Sequence, residues 1–183
     1  MLNIDQLGHV LDDTRSDLFR WEALPTYEVP TDGSDFHRWL AGEPAPTMDR
    51  KQVWLDTLRA WAEQGRPRRR VRVIHDPPSD YERYSCEWGY VHTAAAGERI
   101  RVLDLAETAM PSELVAVSDF WLIDGERVVL MYYNSDYTFA GGELLDQESS
   151  TGPYRDAASV AWRLGCDFAT WWADHPQYRR SPS

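Results

Sequence analysis

The chain has 183 residues, 43% of them hydrophobic and 9 of them Trp, which suits one domain with a closed core. Its formal net charge of −11 disfavours tight nucleic-acid binding, because a polyanion must be met by clustered cations. No apolar run reaches membrane-spanning length. The opening residues, MLNIDQLGHVLDD, are acidic where a secretory leader would be basic and then apolar, so cytoplasmic residence is the expectation.

Leu7, Val10, Leu11, Leu18 and Trp21 recur at helical spacing and predict an amphipathic helix over 5–21, with a break allowed near Thr14. EALPTYEVP follows as a short extended piece in which Tyr27 and Val29 alternate. Residues 31–42 read as a short helix carrying Phe36, Trp39 and Leu40. Residues 1–48 are thus expected as a helical and extended arm packed on the domain. Asp49 can cap a helix running to about Gln64, with Gly65 as its stop.

The run RPRRRVR at 66–72 enters a strand. Alternation there predicts arginines facing solvent and Val71 and Val73 facing inward, as on a solvated sheet edge or a protein contact. The strand stops at Pro77-Pro78. Ser79 or Asp80 then caps a helix through about Tyr90, and GERIRVLDL is a further strand. Strands at 119–123 and VVLMYY flank Asp124-Gly125, the signal for a tight hairpin, and both are apolar on both faces. TFAGGELL supplies another strand, with Gly141-Gly142 marking a bulge or close approach.

Pro153 is expected to open the last helix, whose buried stripe runs from Ala157 to Phe168 and Trp172. Trp171-Trp172 and Tyr178 could equally form a docking surface or close a thick core. The order of elements predicts an α/β fold: a three-layered α/β/α sandwich with a mixed sheet, one domain over 1–178 and a disordered tail at 179–183. The hairpin is expected at the middle of that sheet.

Two resemblances rest on particular segments. LFRWEALPTYEVP, RRVRVIHDPPSDYERY, AAAGERIRVLDL, SDFWLIDGERVVLMYY and FAGGELLD resemble an actinobacterial family of unknown function, whose members are often encoded beside helix-turn-helix regulators. That resemblance implies a regulatory or accessory role. Residues 51–134 are similar to one half of the phospholipase D-like fold, whose hairpin bears the signature H-x-K-x(4)-D. Placing its Asp on Asp124 puts Val117 at the His and Asp119 at the Lys. A valine cannot attack phosphorus and an aspartate repels phosphate, so the resemblance implies a copy without the catalytic signature.

Other chemistry is sparse. Among the five histidines none has a second His or a Cys three or four residues away, so no metal site is expected. His75-Asp76 at a strand end reads as a terminating turn rather than an acid–base pair, and Cys86 and Cys166 read as reduced, partly buried thiols. No serine elbow, Walker loop or dinucleotide glycine motif occurs, and no cofactor is expected.

Two polar clusters stand out. Arg20, Glu22 and Tyr27 lie among apolar residues, with Arg20 and Glu22 on one side of an extended segment. Asp80, Tyr81 and Arg83 open a helix directly after a strand, where an anionic or planar ligand can be held, against the plainer reading of a cap with packed tyrosines. Trp121 and Tyr133 on the hairpin complete the candidate set. The expected function is a non-catalytic accessory protein that binds a protein partner, a helix-turn-helix regulator by resemblance. The alternative is a small-molecule-sensing domain or enzyme in which Arg20, Glu22, Tyr81 and Arg83 converge on one concave site.

Overall fold

A computed structural model describes residues 1–28 and 34–180. A seven-stranded mixed sheet runs in the order β6-β5-β4-β1-β2-β3-β7. Its strands are β1 (Leu18–Glu22), β2 (Arg68–Ile74), β3 (Arg99–Asp104), β4 (Phe120–Ile123), β5 (Arg127–Tyr133), β6 (Phe139–Leu145) and β7 (Cys166–Asp167). The trio β1, β2 and β3 is parallel, and the other pairings are antiparallel.

One face carries Phe19, Trp21, Val71, Val73 and Phe120, packed against Ala157, Ala158 and Ala161 of α6 (Glu148–Leu164). The opposite face is covered by α1 (Ile4–Asp12), α3 (Met48–Glu63), α7 (Phe168–Asp174) and a rod over residues 80–95. That rod comprises α4 (Asp80–Tyr84), a π-helical segment (Ser85–Tyr90) and α5 (Val91–Ala95). A short α2 (Asp35–Leu40) packs on α4. No helix among the described residues is long and apolar enough to cross a membrane.

The first segment departs from expectation. Helix α1 ends at Asp12, and Leu18–Glu22 is a strand rather than helix. All five of its residues are buried, with Phe19 and Trp21 on the apolar face and Leu18, Arg20 and Glu22 on the other. Residues 1–48 therefore supply the middle strand of the sheet. The hairpin β4–β5, expected there, lies to one side of it. Val29, Pro30 and residues 31–33 of the predicted second and third elements lie outside the described residues.

The arginine run is likewise corrected. β2 lies between β1 and β3, and Arg72 is 0% exposed while Arg68 is buried between the rings of Trp54 and Trp61. Val71 and Val73 do face the core, but Arg68, Arg70 and Arg72 face the other side of the sheet, which is also covered. An alternation of arginine and valine marks a strand with two buried faces here, because the arginines find carboxylates and aromatic rings instead of water.

Near the C-terminus, α6 begins at Glu148, so Pro153 lies within it rather than at its start. The helix stops at Gly165, where a Cβ would lie 2.9 Å from Cβ of Arg101, and β7 then pairs with β3 before α7 begins. Phe168 and Trp172 thus belong to a second helix, and both Trp171 and Trp172 are buried, which favours the thick core over a docking surface. Arg179 and Arg180, expected in a disordered tail, donate to Trp172 O and to Glu87 and Trp39 O respectively. Residues 181–183 lie outside the described residues. Cys86 is buried and Cys166 exposed, both as free thiols.

Two glycine and turn expectations hold. Asp124 and Gly125 both take positive φ in the hairpin turn, and Glu126 N–H donates to Ile123 O at 3.0 Å. The register slips beside Gly141, where Ala140 is skipped, and Cβ atoms added at Gly141 and Gly142 would meet Met1 and Val129 at 2.8 and 2.9 Å. The Asp124 carboxylate also accepts from the backbone N–H groups of Arg15, Ser16 and Asp17. Burial would raise its pKa, but these donors hold it below the usual range. Asp124→Ala should cost about 1–2 kcal/mol in urea unfolding, as lost caps do, while Asp124→Asn should cost less.

Candidate functional site

The charged face of β1 and β2 is the floor of a cavity of about 680 Å³. In register, Arg20 neighbours Arg70 and Trp121, and Glu22 neighbours Arg72. Tyr27, from the segment after β1, and Tyr133, from the end of β5, stand over this floor with ring centroids 5.3 Å apart. The remaining walls come from α1, the rod over residues 80–95 and β6, and are mainly aromatic and aliphatic. The π-helical segment contributes Ser85, Gly89 and Tyr90. Interruptions of this kind are frequent at functional sites.

The floor is a connected ionic network. Arg20, 3% exposed, donates through Nε to Glu22 at 3.3 Å and through Nη2 to Asp119 at 3.0 Å and Tyr133 Oη at 2.9 Å. Asp119 also accepts from Tyr27 Oη at 2.5 Å and from Ala23 N–H at 2.9 Å. Arg70 joins Glu22 at 2.6 Å to Glu98 at 3.0 Å, and Tyr90 Oη donates to Glu22 at 2.8 Å. Behind them Arg72 stacks on Tyr27 and lies 3.6 Å from Glu82, whose carboxylate meets His75 Nδ1 at 2.6 Å.

These contacts bias the ionisation of several of the groups. Burial alone would raise the Glu22 pKa, but Arg70, Arg20 and Arg72 hold it well below the usual carboxylate range. Burial pushes the hydroxyls of Tyr27, Tyr90 and Tyr133 up. Burial opposes the charge on Arg20 and Arg70, yet the surrounding acidic groups raise both above the usual value. The shifts favour the charged forms of Glu22, Arg20 and Arg70 and the neutral forms of the three tyrosines. Among the side chains lining the cavity, Arg20 Nη1 and Trp121 Nε1 are buried with no hydrogen-bond partner among the described residues, as are Arg72 Nε and Nη2 behind the floor. The Arg20 guanidinium lies 5.0 Å from the Trp121 ring.

Of the eight residues singled out in the sequence, Arg20, Glu22, Tyr27, Tyr81, Trp121 and Tyr133 line this one cavity. Asp80 and Arg83 do not. Arg83 turns away, donating to Tyr178 O at 2.9 Å and to Asp80 at 3.3 Å over the ring of Trp39. Ser79, not Asp80, caps the helix, in a capping box with Glu82. Sequence reasoning missed Arg70 and Tyr90 as partners of Glu22, and Glu98 as the second partner of Arg70. It treated Asp119 only as a replacement for a lysine. The signal that could have found them is charge in strands whose other face is fully apolar. Val117 accepts through its carbonyl from Trp21 Nε1 at 3.2 Å.

An α/β domain with a ligand-sized cavity over a charged sheet face is thus defined. The chain matches the family "Domain of unknown function (DUF6879)" over residues 5–173 and belongs to that family. No curated protein matches it.

Proposed function

We propose that this protein is a non-catalytic, small-molecule-binding accessory domain of the cytoplasm, with its ligand in the cavity above Arg20 and Glu22. The observation that supports this reading most is the convergence of six aromatic and charged side chains on one cavity whose floor is a connected ionic network. The walls suit a planar ring, stacked among Tyr27, Tyr81, Tyr133 and Trp121. The Arg20 guanidinium in the floor suits an acceptor oxygen, a carbonyl or carboxylate, on that ring. The hairpin's resemblance to phospholipase D-like folds, taken at face value, fits the same picture, since Val117 and Asp119 leave it no nucleophile and no phosphate-binding lysine.

A thermal-shift screen of planar aromatic acids and amides tests this. A ligand at a hundredfold excess over its Kd should add about 2.7 kcal/mol, a Tm rise of roughly 5–10 °C. Trp121→Ala should lose that rise while still unfolding cooperatively, and Trp121→Phe should keep part of it. A screen in which hits raise the Tm of wild type and Trp121→Ala equally would place the ligand elsewhere.

The acidic surface supports a second element: a basic protein partner, which the family resemblance suggests is a helix-turn-helix regulator. Recovery of such a regulator at low salt and its loss at high salt would bear this out.

A further inference from the structure

A second cluster lies outside this cavity, at the carboxyl end of β3. Asp104 is 3% exposed, and its Oδ1 accepts from Ala106 N–H and its Oδ2 from Trp171 Nε1, each at 2.9 Å. Among the described residues it forms no ion pair with any arginine or lysine; its ionic neighbour is His175 Nε2 at 3.8 Å. A buried carboxylate normally has a cation or a metal beside it.

His175 shows what is required. Its Nδ1 lies 2.7 Å from Trp171 O, and a carbonyl only accepts, so Nδ1 carries the hydrogen. In the neutral ring Nε2 then presents a lone pair to Glu107 Oε1 at 3.2 Å and to Asp104 Oδ2. A lone pair facing two carboxylate oxygens is repulsive unless positive charge lies between them. The ring packs against both Trp171 and Tyr178, at centroid distances of 4.7 and 5.4 Å, which favours this orientation. A histidine that donates one N–H to a backbone carbonyl and offers the other nitrogen is the usual metal-ligating form.

We propose that Asp104, Glu107 and His175 bind a divalent transition-metal ion of the zinc and manganese class. His175 Nε2 stands 3.8 Å from Asp104 Oδ2 and 3.2 Å from Glu107 Oε1, separations that one ion bonded at about 2.0–2.2 Å can bridge, and the three ligand atoms all lie within 4.8 Å of one another. One imidazole and two carboxylates suit that class better than magnesium or calcium, which prefer oxygen alone. Glu107, with its side chain 56% exposed, leaves the outer side of the ion open to water or a substrate oxygen. Pairwise sequence spacing could not show the site, because its ligands come from β3, the turn after it and the end of α7.

Calorimetric titration of the EDTA-stripped, dialysed full chain with Zn²⁺, repeated with Mn²⁺, tests the proposal. One ion should bind per chain, with a change in the fluorescence of Trp171. Glu107→Gln and His175→Gln should each weaken binding by at least about tenfold. Glu107 is largely exposed, so that variant should keep the wild-type Tm without metal, which separates loss of binding from loss of fold. No saturable binding of either ion would overturn the proposal and leave a proton as the charge between Nε2 and the carboxylates. Binding unchanged in both variants would overturn it as well.

Discussion

Asp119→Ala should destabilise the protein by about 3–5 kcal/mol, the usual consequence of removing one partner of a buried ion pair. The carboxylate accepts from Arg20, Tyr27 Oη and Ala23 N–H at once, and all three lie away from bulk water. Its loss leaves a cation and two neutral donors without acceptors, which costs more than the pair contributed when intact. Urea unfolding followed by Trp fluorescence measures this as a lower midpoint at unchanged slope. Asp119→Asn keeps an acceptor of the same shape and should cost less. Equal stability of Asp119→Ala and wild type would mean that the network is slack and that the floor of the cavity is not preorganised.

Acid should unfold the protein, and Glu22 should account for a resolvable part of that limb. Its folded pKa lies below the ordinary glutamate value, so the stability it contributes is fully present above about 4.3. That contribution is lost as the pH falls through the folded pKa, because the unfolded state binds the proton first. Glu22→Gln should therefore be destabilised by about 3–5 kcal/mol at neutral pH, with Arg20 and Arg70 left under-compensated. Below pH 4 the gap between variant and wild type should narrow. Parallel pH–stability curves would show that Glu22 has an ordinary pKa in the folded state.

The mixed α/β architecture was legible because its strands announce themselves through β-branched and aromatic runs, and its turns through Asp124-Gly125 and Gly141-Gly142. The middle of the sheet was not legible, and for one reason. LFRWE and RRRVRVI carry charges that a single sequence assigns to solvent, whereas here Arg20, Glu22, Arg70 and Arg72 lie against opposite charges and Arg68 lies against tryptophan rings. The same inversion turned β1 into the end of a helix and β2 into an edge. It also explains why half of the site was visible: Arg20, Glu22 and Tyr27 are close in the chain, while Arg70, Glu98 and Asp119 join them only through strand register. Gly165 hid the break between α6 and α7, because its cause is the close approach of Arg101 from another strand. Asp80 and Arg83 show the converse error. A helix start after a strand suggested a ligand, but Arg83 holds the C-terminal segment instead.

The most direct test of the central claim, that the cavity over Arg20 and Glu22 is a small-molecule site, is native mass spectrometry of the tagged protein purified from its own host. The account predicts a stoichiometric small molecule with a planar ring and an acceptor oxygen, retained by wild type and lost from Trp121→Ala. A wild-type spectrum showing the bare chain, or the chain with a protein partner and no small molecule, would contradict it.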